Sequence, residues 1–219
     1  YETYLVAQDL TNIYRVDLSD PAMPVTDLAT MFGSANVFGT FQPSISADGN
    51  QIAFIGSSLD SGFDVVLLMD TTTEQVTVIS RDDANYHHPT ISPDSNYIAA
   101  VRETEEGDVD LVLFDLTQDL TETGFVMVDL TVDNAAIIES YPAFSQDMSL
   151  LAYSAAASTS PDNHEIFLIG LENGRPTSGN ITVAASEFDE IHPVFSPDGN
   201  FIAYSANISG DYNIYVRDL

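Results

Sequence analysis

His192 to Leu219 reads HPVFSPDGNFIAYSANISGDYNIYVRDL, and its first half has three degenerate copies upstream. These are FQPSISADGNQIAFIG from Phe41, HHPTISPDSNYIAAVR from His87 and YPAFSQDMSLLAYSAA from Tyr141. The shared prolines, Pro43, Pro89, Pro142 and Pro193, stand 46, 53 and 51 residues apart. Self-similarity at that period marks a propeller, in which each repeat is one four-stranded sheet that cannot bury its apolar faces alone.

The chemistry inside each repeat agrees. Strand a is expected in the short run after the proline, Ser44 to Ser46 in one copy and Val194 to Ser196 in another. ADGN, PDSN, QDMS and PDGN then supply a turn, because Pro presets φ, Asp bonds its own backbone, and Gly or Asn accepts positive φ. Strand b follows as QIAFIG, YIAAV, LLAYSA and FIAYSA, with a small Ala at Ala53, Ala99, Ala152 and Ala203 where neighbouring sheets would pack closely. Strand c is DVVLLMD, DLVLFDL, EIFLIGL and NIYVRDL, and strand d is QVTVIS, GFVMVDL and NITVAAS, rich in residues that suit a pleated surface. No segment holds a sustained 3.6-residue apolar stripe. The start of the chain fits the template out of phase, TYLVAQDLTNIYRVDL matching strands b and c and PVTDLA strand d. The expectation is a single all-β domain over residues 1–219, a β-propeller of four-stranded blades in about five units. The units are 1–40, lacking strand a; 41–86; 87–140; 141–191; and 192–219, lacking strand d.

Composition narrows the function. Of 219 residues 34 are Asp or Glu and five are Arg, with no Lys, giving a formal charge of −29. Nucleic-acid binding is excluded, because it begins with basic side chains displacing counterions from phosphates. No Cys means no disulfide framework and no thiolate metal site. No run approaches the ~20 apolar residues of a membrane helix, so no membrane insertion is expected. The first residue is Tyr1 rather than Met, as after removal of a leader or within a longer polypeptide.

The phrase from His192 to Leu219 resembles the repeat of the TolB-type, WD-like β-propellers: a His-Pro start, F-S-P-D-G, I-A-Y/F, then a D/N-I-Y-V-x-D strand. The match is strongest there, good from His88 to Leu116, and degenerate from Phe41 to Asp70 and from Tyr141 to Leu171, where SADG and SQDM replace SPDG. The resemblance implies fold more than activity, since such propellers serve as envelope scaffolds, as gating domains of prolyl-oligopeptidase-like enzymes and as polysaccharide lyases. Among the lyases, His-bearing propeller sites hold a metal. His88-Pro89 and His192-Pro193 occupy the ordinary start of the repeat, however, and Gln42 and Tyr141 stand at the equivalent places, so no ring of His is expected.

In this architecture the b–c and d–a loops share one face, and here they hold about half of the acidic residues. The candidate ligand-binding rim comprises Asp64, Asp82, Asp83, Asp108, Asp110, Glu165, Asp189 and Glu190 with His87, His88 and His192; Glu139 belongs to the same loops. Such a rim suits a cation, a cationic partner or a hydroxyl-rich ligand; the same charge also simply keeps a surface hydrated. Asp60, Asp64, Glu106, Asp108 and Asp110 are candidate calcium ligands from the loops LDSGFD and EEGDVD, without EF-hand spacing. A recurring acceptor at the start of strand c also serves to bond its own blade. No G-x-S-x-G elbow and no Cys nucleophile occur, and acidic pairs are too abundant to single out a glycosidase dyad. Asn180 and Asn207 begin N-x-S/T sequons, candidate glycosylation sites. The expectation is a non-enzymatic, exported binding or scaffold module without a required cofactor, periplasmic or extracellular, engaging a protein partner or itself through open blade edges as an oligomer or filament. The alternatives are the propeller portion of a larger peptidase or lyase, and a structural subunit of an extracellular filament or surface assembly.

Overall fold

The computed structural model describes residues 4–8, 12–18, 20–28, 36–80, 83–118, 125–131, 137–177 and 179–219. The first repeat forms β1 (Tyr4–Gln8), β2 (Ile13–Asp17) and β3 (Val25–Asp27), an antiparallel sheet in that order. The second forms β4 (Val37–Ile45), β5 (Gln51–Ser58), β6 (Asp64–Asp70) and β7 (Gln75–Val78), a four-stranded sheet in sequence order. The third supplies β8 (Ala84–Ile91), β9 (Tyr97–Thr104), β10 (Val109–Asp115) and β11 (Val126–Asp129). The fourth supplies β12 (Ile137–Phe144), β13 (Leu150–Ala157), β14 (Glu165–Glu172), the two-residue β15 (Arg175–Pro176) and β16 (Ile181–Ala184), the last two pairing with successive stretches of the β14 edge that faces away from β13. The last repeat forms β17 (Glu190–Phe195), β18 (Phe201–Ala206) and β19 (Asn213–Asp218), again three strands in order.

Packing divides the chain into two compact units, residues 1–98 with 114–126, and 99–113 with 127–219. In the first, Ile52, Phe54, Leu67 and Met69 on one face of the second sheet bury against Ile13 and Leu28 of the first. Central strands are covered on both faces, so β5 reads as an unbroken buried run from Ile52 to Gly56 rather than as an alternation. In the second, Ala152, Ile166, Leu168, Val183 and Ala184 receive Phe195, Ile202 and Tyr204 of the last sheet. Each fully buried side chain of this size contributes about 1.5–3 kcal/mol.

Strand a differs from the expectation: it starts well before the proline and runs through it. Ser140 pairs with Ser154 and Ala143 with Ala152, so Tyr141 and Pro142 together face a single residue in a bulge. The same shift lies at Phe41/Ser44 and at Ile191/Val194. A bulge is where a strand tolerates a residue without an N–H, which is why the proline sits there. The residue before each proline takes positive φ: Gln42 at 54°, His88 at 50°, Tyr141 at 52° and His192 at 56°. His87, His88, Glu190 and His192 therefore lie on strands rather than on loops.

The turn after strand a is one device built four times. The hydroxyls of Ser46, Ser92, Ser145 and Ser196 donate to Asp48, Asp94, Asp147 and Asp198 at 2.6, 2.6, 2.8 and 2.5 Å. Each Asp accepts the backbone N–H two residues on, and each Ser oxygen accepts the N–H that opens strand b. These bonds hold the carboxyls of Asp48 and Asp198, first through the serine hydroxyl, and of Asp147, first through the Ser149 N–H, below their ordinary value.

Candidate functional site

Loops and strand starts meet around Asp189 in the second unit. Its Oδ1 accepts the His164 backbone N–H at 2.9 Å and the His164 ring Nδ1 at 2.7 Å, and its Oδ2 accepts the Tyr212 hydroxyl. The Asp189 N–H donates to Asn207 Oδ1 at 3.0 Å. Burial alone would raise this carboxyl; the bonds from Tyr212 and His164 outweigh it and hold it below the usual value. The same bond pushes the Tyr212 phenol up to about 12. Next to it Glu190 is buried, its Oε1 accepting the Ser186 hydroxyl at 2.5 Å, and burial, with the Glu165 charge adding, raises its carboxyl. Burial also lowers the His192 imidazole, whose ring packs 4.0 Å from that of Tyr141.

The Asp189 contact repeats in the first unit with Asn85 in its place. Both stand four residues before a strand-a proline, and Asn85 Oδ1 accepts the Asp64 N–H at 3.0 Å as Asp189 accepts that of His164. Asp64 Oδ1 in turn accepts the Ser57 hydroxyl of its own sheet at 2.6 Å, as a recurring acceptor at the start of strand c should. Asp60 accepts from Asn36 Nδ2, and the His88 N–H donates to Gln42 Oε1 at 2.7 Å. At the fourth repeat the equivalent position is Ile138, which has no acceptor, and a parallel backbone bridge to Val109 takes over.

That exchange sits beside a cavity of about 810 Å³ in the second unit. Glu139, Ala155 and Glu165 form one row across β12, β13 and β14, so two carboxylates flank a methyl group. Tyr153 and Phe167 pair in the adjacent row, their rings 5.6 Å apart. Glu139 is 6% exposed, and its Oε2 has no hydrogen-bond partner; Asn163 Oδ1, also lining the cavity, has none either. Burial, reinforced by the Asp110 charge, pushes the Glu139 carboxyl up to about 7, and burial with the Glu139 charge raises the Tyr153 phenol.

The structure thus gathers Glu165, Asp189, Glu190 and His192 of the expected rim, and sets Asp110 against Glu139. Asp64, Asp83, His87 and His88 lie in the first unit, Asp108 in the second, and Asp82 lies outside the described residues. Among the described residues no three His, Asp or Glu side chains converge as metal ligands, whether Asp60, Asp64, Glu106, Asp108 and Asp110 or others. Asn180 is exposed beside the cavity, while Asn207 is engaged by Asp189. Tyr212 and Asn163 were not evident as site residues from sequence; Asx and aromatic residues in turns carry no signal that separates a site from a loop.

Repeated sheets of this strand order define an all-β chain of propeller type. Solved structures agree: a protein assigned as TolB in Agrobacterium tumefaciens superposes with a TM-score of 0.75 at 16% identity, covering 99% of this chain and 73% of the other. TolB of Acinetobacter baumannii gives 0.68 at 20% identity over 98% of this chain, which spans only 48% of that protein. A puromycin-hydrolyzing peptidase of Mycobacterium tuberculosis gives 0.68 at 17%, covering 96% of this chain and 33% of its own. The fold is that of the TolB-type propellers. No family model and no curated protein matches the chain.

Proposed function

We propose that this chain is a non-enzymatic scaffold of the cell envelope or exterior that assembles with copies of itself through its two three-stranded sheets. The observation that carries the reading is the outer face of β17–β19. Ile214 is 71% and Val216 65% exposed, beside Val194 and Phe201. By register, Val216 stands opposite Ala203 as Leu68 stands opposite Ala53 and Leu168 opposite Ala152. Ala53, Val66, Ala152 and Ile166 on those other sheets are fully buried. A second apolar patch lies in the first unit, where Leu18, Met23 and Val25 are exposed. Two different patches favour a head-to-tail contact, which propagates to a ring or filament.

The charge sets the sign of the test. Copies carrying −29 repel one another, so an apolar contact between them strengthens as salt screens the repulsion. Sedimentation of the natural full-length protein should show mass rising with concentration and salt, and Ile214→Asp should hold it at one copy. A single copy at every concentration up to about 100 μM, in low and high salt alike, would overturn the reading.

A further inference from the structure

The cavity of the fourth repeat is not used by that assembly, and its chemistry is specific. The pair that makes it is particular to this repeat: three residues before their prolines the second and third repeats have Thr40 and Tyr86, and the last has Glu190 but sets Asn213 rather than a second carboxylate across Ala206. Ala155 between Glu139 and Glu165 leaves a notch where a larger side chain would fill the row. Two of its lining residues carry buried polar atoms without a hydrogen-bond partner, Glu139 Oε2 and Asn163 Oδ1, and both are acceptors. Among the described residues that line it there is no Arg, His or Lys, so no cation of theirs neutralises the buried carboxylate. One wall is the Tyr153–Phe167 ring pair. A buried acceptor left without a donor is costly, and a ligand that brings N–H donors and positive charge removes that cost.

We propose that the notch between Glu139 and Glu165 binds an organic cation, a primary ammonium or guanidinium group carried on an apolar body. The charged head donates to the Glu139 carboxylate and the Asn163 side-chain carbonyl, Glu165 adds a second carboxylate, and the body lies along Tyr153 and Phe167. The volume is that of a small-molecule site.

The test uses the whole chain at about pH 8, above the range in which Glu139 ionises, with phenethylammonium as probe and 2-phenylethanol as its neutral counterpart. Calorimetric titration should give saturable binding of the ammonium at least about tenfold tighter than the alcohol. Glu139→Gln should erase about tenfold of that preference and Glu165→Gln less, while Glu74→Gln, an exposed acid of the first unit, should leave it intact. Equal affinity for ammonium and alcohol overturns the proposal on the wild type alone, without recourse to any variant. So does an effect of Glu74→Gln as large as that of Glu139→Gln, which would reduce the binding to general attraction by a negative surface.

Discussion

At the scale of single residues, the fourth position of the Ser-x-Asp-x turn shows what the repeat tolerates. Gly49 and Gly199 take φ of 73° and 71° there, and Ser95 and Met148 take 61° and 63° without glycine's freedom. A left-handed conformation costs a side-chain-bearing residue about 1–2 kcal/mol, part of which glycine returns as chain entropy. Ser95→Gly should therefore stabilise the protein by about 1 kcal/mol, raising the midpoint of thermal unfolding by about 3 °C; an unchanged or lower midpoint would contradict the account. Glu139 makes the opposite kind of statement. Its carboxyl is raised from 4.5 to about 7 by burial and by Asp110, so it binds its proton more tightly folded than unfolded. Its contribution is fully present below 4.5 and is lost as pH rises through about 7. Denaturant titrations should show Glu139→Gln gaining stability relative to wild type across that window, with a constant difference above and below it. Asp48, Asp147 and Asp198, all lowered, act with the reverse sign: their contribution is present at neutral pH and fades as pH falls below their unfolded value of 3.8.

At the scale of elements, the start of strand c is tied to the next strand a by one side chain, Asn85 or Asp189, and by a backbone bridge where Ile138 replaces it. Asp189 accepts from His164 and Tyr212 together, so Asp189→Ala should cost about 3 kcal/mol, while Asn85→Ala, losing one neutral bond, should cost about 1. Equal costs, measured by chemical denaturation, would refute the clamp. The same comparison explains what the sequence could reveal. The Ser-Pro-Asp-Gly phrase and the prolines are local chemistry, so the turns and strands b to d fall on the expected segments. Strand a was harder to read, because its bulge depends on pairing with strand b across the Tyr141–Pro142 step, and proline in a short window argues for a strand's beginning, not its middle. The cavity was less legible still: Glu139 looks like any acid of a charged loop, and only its cross-strand neighbour Ala155 and the buried position of β12 distinguish it.

At the scale of the whole molecule, the outer face of β17–β19 departs from the other repeats: Ile214 is exposed where Val66 and Ile166 are buried, and Val216 is exposed where Leu168 is buried and Leu68 half-buried. The identity of what covers it decides between a scaffold that builds from copies of itself and a propeller completed by other means. The head-to-tail account makes a demand that no symmetric or nonspecific contact meets. Ile214→Asp blocks only the terminal sheet, and Val25→Asp blocks only the patch with Leu18 and Met23. Each variant alone should run as a single copy in native mass measurement. Mixed, the intact patch of one should meet the intact sheet of the other and give a complex of two copies that goes no further. A mixture that stays at one copy under conditions where the wild type assembles would contradict the account.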